Sequence, residues 1–225
     1  RSKIVNNDDD YYTITSKANG KYLTIDGRLD NKTNIFVTDF NDTDYQKFRI
    51  AKYEKKLVYN GLDVSDHQGQ IDWHVLQSSI NFAILRVGFG SDYESQDDLE
   101  LISNIKGCEE NNIPYGLYIY SYALNTSDAQ SEVNHVLRLL SNTGNNFKLG
   151  IWFDMEDADG YKARNGMPSN ETLVDICHTF VNEMQSNGYK TGIYASKSWF
   201  ENQLNSPKIA SYDKWIAHWP WTPRV

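Results

Sequence analysis

The alternation of apolar and polar positions along the chain changes character near residue 58. Before that point, short segments of alternating residues are separated by Asn, Asp and Gly, which favour turns. Strands are predicted at Tyr12–Thr15, Lys21–Asp26, Asn34–Val37 and Lys47–Ile50. Residues 1–57 are therefore predicted to form a small all-β segment, which buries little surface by itself.

From Val58 onward, short apolar runs alternate with longer amphipathic stretches. The amphipathic stretches predict helices, one capped by Thr126 or Ser127 and another running from Ser169 to Gly188. The apolar runs predict six strands, at residues 59–65, 82–88, 114–122, 149–157, 190–195 and 214–218. Strands and helices that alternate at this spacing predict βαβ units and a parallel sheet, an α/β fold class. Because the first strand of the series carries an acid, the α/β fold predicted is an irregular (β/α) barrel of the TIM type.

The fourth predicted strand ends in carboxylates. Side chains alternate along a strand, so Trp152, Asp154 and Glu156 are expected on one face. Two acids at this spacing influence each other's ionisation. An isolated Asp-x-Glu more often caps the next helix or faces water, so the interpretation depends on the other strands.

Other strands carry chemistry-bearing groups at the same end. The first strand bears Asp63, and the aromatic positions are Tyr118, Tyr120, Tyr122 and Tyr194. Acids surrounded by aromatic rings at the mouth of a barrel are typical of glycosidases, because burial and a neighbouring carboxylate keep one acid protonated. Asp66, Asp157 and Asp159 are expected at the surface or behind the site, and His218 is expected near the mouth without a role in the chemistry.

Composition narrows the classes of function. The net charge of −8 argues against a nucleic-acid partner, and no apolar run reaches membrane-spanning length. The chain contains 15 Tyr and 6 Trp, whose flat rings suit sugar binding. Cys108 and Cys177 have no metal-ligand spacing and the five His are scattered, so we predict buried thiols and neither metal nor cofactor.

Six segments occur in an order and spacing that match a known family. They are Gly61–Gly69, Ile71–Trp73, Ile84–Gly88, Gly116–Tyr120, Trp152–Glu156 and Gly192–Tyr194. Together they resemble the glycoside hydrolase family 25 lysozymes, the muramidases of phage endolysins and bacterial autolysins. The resemblance runs from about Val58 to Trp219.

This resemblance implies cleavage of the β-1,4 bond between N-acetylmuramic acid and N-acetylglucosamine in peptidoglycan, outside the cell or at the cell wall. Glu156 matches the family's proton donor, and Asp154 matches the acid that holds the substrate's 2-acetamido group. Asp63 matches the acid of the first strand, and Tyr120 and Tyr194 match positions lining the sugar groove. Tyr118 and Tyr122 are further candidates for sugar contacts.

Two features depart from the family pattern. The chain stops at Val225 without the W-Q-Y and D-x-N segments that close the family's barrel, so residues 58–225 are expected to form a catalytic barrel lacking its last strands. Residues 1–57 resemble one repeat of the ricin-type β-trefoil lectins, with Gln46–Phe48 in place of Q-x-W. A trefoil needs three such repeats, which leaves a sugar-binding role for this segment open.

Three functions remain open at this level. A retaining, substrate-assisted muramidase is the first, a non-catalytic protein that binds the cell wall is the second, and a hydrolase of chitin-like chains is the third. The chain begins at Arg1 without a recognisable signal peptide, which favours a processed or excised form. The oligomeric state and a phage or bacterial origin are left open.

Overall fold

The structure is a computed structural model that describes residues 2–7, 11–16, 19, 21–25, 35–39, 59–143 and 146–218. The chain divides into two compact units, Arg1–Leu57 and Val58–Val225. Each unit contains its own sheet. No helix in the described ranges is long and apolar enough to cross a membrane.

The first unit contains a four-stranded antiparallel sheet in chain order. Its strands are β1 (Ser2–Asn7), β2 (Tyr11–Ser16), β3 (Tyr22–Ile25) and β4 (Ile35–Thr38). Strands β2 to β4 coincide with predicted strands, whereas β1 was missed because Ile4 and Val5 are the only apolar residues in it. The predicted strand Lys47–Ile50 falls outside the described residues.

The second unit is built on six parallel strands that follow one another in chain order. These are β5 (Gly61–Val64), β6 (Phe82–Phe89), β7 (Tyr115–Tyr120), β8 (Ile151–Asp154), β9 (Thr191–Ser196) and β10 (Asp213–Ala217). The helices are α1 (Trp73–Leu76), α2 (Leu101–Glu110), α3 (Thr126–Thr143), α4 (Tyr161–Arg164), α5 (Asn170–Ser186) and α6 (Lys197–Glu201).

This sheet curls into a half-barrel, which confirms the predicted fold class of an incomplete barrel of the TIM type. Within residues 59–143 and 146–218, β5 pairs only with β6 and β10 pairs only with β9. The strands are parallel because helical structure between each strand and the next returns the chain to the same end of the sheet.

The two faces of the curled sheet have different partners. Helices α2, α3 and α5 pack on the outer face, over fully buried apolar side chains. The apolar positions on that face include Leu85, Leu117, Ile151, Phe153 and Ile193. Side chains alternate along each strand, so the neighbouring positions point into the curl, where polar and aromatic residues are found. The hydrophobic core thus holds the strands from one side and leaves the other side for the site.

Helix α5 shows how the sequence sets this packing. Ser169 caps it by accepting a hydrogen bond from the N–H of Thr172 at 3.2 Å, and the chain turns at Gly188, whose φ is +88°. Its apolar stripe includes Phe180, which is fully buried and stacks on Phe153 with ring centroids 4.1 Å apart. This contact joins the helix to the strand that ends in the acid pair.

We expect Phe180→Ala to lower the free energy of unfolding by about 3–5 kcal/mol, because it leaves a cavity in a core that cannot collapse fully. Urea unfolding followed by tryptophan fluorescence measures this change. Leu99→Ala is the matched control, because Leu99 is 85% exposed and its truncation should change stability by less than about 0.5 kcal/mol. Equal effects of the two substitutions would contradict the packing described for α5.

Candidate active site

A cavity of about 570 Å³ opens at the carboxyl ends of the parallel strands. All seven residues predicted to form the site line this one cavity: Asp63, Tyr118, Tyr120, Tyr122, Asp154, Glu156 and Tyr194. The cavity also includes residues that the sequence analysis did not select, among them Arg86, Phe89 and Trp215. The predicted residues are therefore brought together in space. The burial, hydrogen bonds and neighbouring charges of each residue indicate what it can do chemically.

Strand register explains why these residues meet. Phe89, Tyr120, Asp154, Tyr194 and Trp215 occupy paired positions on five neighbouring strands, β6 to β10. Paired residues of parallel strands point to the same face of the sheet, so these five side chains form one row. The row crosses the inner face of the half-barrel, with Asp154 at its centre.

Asp154 is the buried acid of the cavity. Its side chain is almost enclosed, with 6% of the residue exposed, and no hydrogen-bond partner of its Oδ1 is found among the described residues. Burial raises the pKa of this carboxyl well above its usual range, and the charges of Glu156 and Asp63 raise it further, while Lys162 opposes the shift. The Oδ1 atom is thus a buried acceptor without a donor among the described residues.

Glu156 lies two residues beyond Asp154, just past the end of β8, and it is half-buried. Burial raises the pKa of this carboxyl, Lys162 lowers it, and Asp159 raises it, with a net upward shift. The ladder of hydrogen bonds continues past the strand, since the N–H of Met155 donates to the carbonyl of Tyr194 at 2.9 Å. This continuation keeps Glu156 on the same face as Asp154.

One wall of the cavity is aromatic and is organised by Asp159. The hydroxyl of Tyr122 donates to Asp159 Oδ2 at 2.8 Å, and that of Tyr120 lies 3.5 Å from Oδ1. Burial opposes ionisation of Asp159, but hydrogen bonds from the Tyr161 N–H and from Tyr122 outweigh it and lower its pKa. Asp159 was expected at the surface or behind the site; it lines the cavity and fixes the orientation of two rings.

The opposite wall consists of indole and phenol rings. Tyr194 meets Trp215 edge to face, with centroids 4.6 Å apart, and Trp215 meets Trp152 at 6.0 Å. Gly192 makes room for this cluster, because a Cβ there would lie 2.7 Å from the ring of Trp152. Sequence analysis missed Trp215, although its place within the sixth predicted strand, at residues 214–218, was an available signal.

Arg86 lies on β6 and brings a positive charge to the cavity. Its Nε donates to Asp98 Oδ2 at 2.7 Å and its Nη2 donates to Asp66 Oδ1 at 2.5 Å. The N–H of Asp66 donates to the same oxygen of Asp98 at 2.9 Å, which ties the turn after β5 to the turn after β6. Asp66 therefore lines the cavity and holds Arg86, a more specific position than the sequence analysis gave it.

The remaining candidates differ in how they relate to the acid pair. Asp63 is exposed at the edge strand β5 and lines the cavity from that side. Asp157 accepts hydrogen bonds from the N–H groups of Lys162 and Ala163, at 2.7 and 3.1 Å, and so orders the first turn of α4. His218 is exposed. No cluster of His, Cys, Asp and Glu in the described part of the chain has the arrangement needed to hold a metal ion.

A parallel sheet whose strand ends gather paired carboxylates and aromatic rings around one cavity has the arrangement of a glycoside hydrolase. The family model described as glycosyl hydrolases family 25 matches residues 62–225, which is most of the chain. This protein therefore belongs to family 25 of the glycosyl hydrolases. No curated protein matches the chain by sequence.

Solved structures share the fold. The modular autolysin LytC of Streptococcus pneumoniae, in complex with a synthetic peptidoglycan ligand, is 24% identical with a TM-score of 0.65, over 96% of this chain and 49% of the autolysin. A lysozyme from Streptomyces coelicolor is 22% identical with a TM-score of 0.59, over 76% of this chain and 79% of the lysozyme. A family 25 glycosyl hydrolase from Bacillus anthracis is 19% identical with a TM-score of 0.55, over 73% and 72%. The present chain thus spans about half the length of the autolysin.

Proposed function

We propose that this chain cleaves the β-1,4 bond between N-acetylmuramic acid and N-acetylglucosamine in peptidoglycan, with retention of configuration. The observation that carries the proposal is the pair of acids at the end of β8, Asp154 and Glu156, which both have raised pKa values in a cavity walled by aromatic rings. Membership of family 25 supports the same reaction class, and the peptidoglycan ligand bound to the autolysin LytC supports the same substrate class.

Glu156 is the proposed proton donor. Its raised pKa favours the protonated form, and its half-buried position leaves the carboxyl in reach of a bound glycan. A protonated carboxyl can donate to the glycosidic oxygen as the bond to the anomeric carbon breaks, so the leaving sugar departs as a neutral alcohol.

Asp154 is the proposed partner of the substrate's 2-acetamido group. The N–H of an acetamido group would supply a donor to Asp154 Oδ1, which none of the described residues provides. That hydrogen bond stabilises the ionised carboxylate and lowers its pKa. Burial favours a proton on Asp154, whereas a hydrogen bond from the substrate would favour its ionised form, which leaves Glu156 as the protonated donor.

The acetamido carbonyl oxygen then attacks the anomeric carbon, while the proton of Glu156 passes to the leaving oxygen. Water later opens the cyclic intermediate, with the Glu156 carboxylate taking the proton of the water. This route replaces an enzyme nucleophile by the substrate and is an exception to the scheme of two flanking carboxylates. Asp63, on β5, supplies negative charge that favours the positively charged intermediate.

The aromatic rings are the proposed sugar contacts. Tyr120 and Tyr194 flank Asp154 in the row across the sheet, and Trp215 follows Tyr194. Their faces suit the C–H face of a pyranose. Two further rings extend this aromatic surface. Tyr118 lies two residues before Tyr120 on β7, and Tyr122 donates a hydrogen bond to Asp159.

The proposal also covers where the protein acts and what kind of segment residues 1–57 form. Because peptidoglycan lies outside the cytoplasmic membrane, the protein acts outside the cell or at the cell wall. Residues 1–57 are proposed to be a small lectin-type segment that resembles one ricin-type repeat. The four-stranded antiparallel sheet supports this proposal only in that the segment is built of short β-strands.

The decisive experiment measures turbidity of a cell-wall suspension together with the reducing ends released from purified peptidoglycan. We expect both clearing and new reducing ends, with muramic acid at the new ends. Binding without reducing ends would overturn hydrolysis in favour of a wall-binding protein. Chitin oligomers, assayed in parallel, should remain uncut, and their cleavage in preference to peptidoglycan would overturn the substrate assignment.

A further inference from the structure

A buried lysine lies behind the residues that line the cavity. Lys162, in α4, has no exposed surface. Its Nζ donates to the backbone carbonyl of Glu156 at 2.9 Å and to the backbone carbonyl of Ser121. Lysine is almost never fully buried unless it is paired, so this position has a specific cause.

A buried acid balances this lysine from another helix. Glu132, in α3, has no exposed surface and accepts hydrogen bonds from the Ser121 hydroxyl at 2.8 Å and from the N–H of Tyr122 at 2.7 Å. Burial raises the pKa of Glu132 to about 7 and lowers that of Lys162, while the attraction between the two charges opposes both shifts. Both charged groups bind Ser121, one at its hydroxyl and one at its carbonyl.

This network links the ends of two strands with the proton donor. Ser121 directly follows β7, and its N–H donates to the carbonyl of Asp154 at 3.0 Å. Lys162, itself in α4, therefore holds two other segments through its Nζ atom: the end of β7 at Ser121 and the segment after β8 at Glu156. Because the carbonyl of Glu156 is fixed, the starting point of its side chain is fixed too, as a proton donor requires.

The charge of Lys162 also reaches both acids of the cavity. It opposes the upward pKa shifts of Asp154 and Glu156, which burial causes. Other ionisable groups interact with Lys162 or with these two acids from the surrounding elements: Asp63 on β5, Tyr118 and Tyr120 on β7, Glu132 on α3, Asp157 and Asp159 before α4, Cys177 on α5 and Tyr194 on β9. Lys162 is the group among them that favours the ionised form of both acids.

We propose that Lys162, balanced by Glu132, is a positioning residue that holds the backbone at Glu156 and places a positive charge behind the acid pair. This inference rests on the proposed function, because it assigns a role in the same reaction. Lys162 does not line the cavity, so it acts on the substrate only through Glu156 and Asp154.

The test is the pH dependence of kcat/KM for the whole chain and for Lys162→Met, which keeps the length of the side chain and removes its charge. Both limbs of the bell-shaped profile should move to higher pH by about one unit, because both acids lose a neighbouring cation. We expect kcat to fall while KM changes little, since the lysine contacts no sugar. Lys162→Arg keeps the charge, so its profile should stay at the original pH even if kcat falls.

Lys106→Met is the matched control, because the Lys106 side chain is 72% exposed on α2 and carries the same charge. Its profile should equal that of the unmodified chain. A purely structural lysine would lower kcat in Lys162→Met without moving the profile, and that result would overturn the proposal. If Lys162→Met fails to fold by circular dichroism, Lys162→Arg decides the matter: it keeps the cation beside both acids, so a folded Lys162→Arg whose profile moves to higher pH overturns the proposal.

A direct titration separates this inference from the proposed function. The carboxyl of Glu156 is followed by carbon-13 NMR in protein labelled at glutamate and assigned by comparison with Glu156→Gln. Its titration should move to higher pH in Lys162→Met even if the chain cleaves no peptidoglycan. No movement, in a chain that does cleave peptidoglycan, would overturn the role of Lys162 and leave the muramidase proposal standing.

Discussion

Glu156→Gln should abolish the release of reducing ends from peptidoglycan, lowering kcat/KM by roughly 10²–10⁴-fold. Glutamine matches glutamate in size but has no proton to give to the glycosidic oxygen, so the leaving sugar would have to depart as an alkoxide. Substrate binding should persist, because the aromatic walls and Asp154 are unchanged. Reducing-end assays measure the loss, and co-sedimentation with insoluble peptidoglycan measures binding.

Glu171→Gln provides the matched control for this substitution. Glu171 is exposed in the first turn of α5, so its replacement changes the net charge equally without touching the cavity. It should leave activity unchanged. A Glu156→Gln variant that still cleaved peptidoglycan at the rate of the unmodified chain would exclude Glu156 as the donor.

Asp154→Asn is expected to have the second largest effect, a loss of roughly 10²–10³-fold in kcat. The amide keeps the shape of the side chain but lacks the negative charge that orients the acetamido N–H and stabilises the cyclic cation. Single-turnover release of reducing ends measures the loss. Asp213→Asn is the control, since Asp213 is an exposed acid at the start of β10 and its change should leave kcat unaltered.

The same substitution should stabilise the fold at neutral pH. An acid with a raised folded pKa binds its proton more tightly in the folded state, so stability falls as pH rises from the unfolded pKa, about 4, through the folded value. Asparagine removes this cost, so its stabilising effect should appear near pH 7 and vanish near pH 3. Lower stability of Asp154→Asn at pH 7 would contradict the raised pKa of the buried Asp154 carboxyl.

Much of the fold and site could be predicted because the relevant signals are local. An apolar run that ends in Asp154 and Glu156 identifies the strand and the edge of the sheet at once, since parallel strands present their carboxyl ends together. The same argument brings Asp63 and Tyr194 to one edge from distant parts of the chain. The structure places all of them around one cavity.

Contacts between elements could not be read from the sequence. Thr126 and Ser127 are equally good caps on paper, yet the side chain of Asn125 caps α3 by accepting from the N–H of Asp128 at 3.0 Å. Lys162 follows the acid pair by only a few residues and looks like any surface lysine. Only the packing of α3 and α4 around the end of β7 shows that it is enclosed with Glu132.

The row from Phe89 to Trp215 makes the chemistry depend on alignment between strands. At a spacing of about 4.8 Å between neighbouring strands, five positions cover roughly 19 Å. A slip of one residue in β8 would exchange Asp154 for an apolar neighbour, Phe153 or Met155, while the backbone ladder survived. If the proposed function holds, an assay of cell-wall lysis by this chain would report on correct strand pairing and would detect misaligned molecules that circular dichroism counts as native.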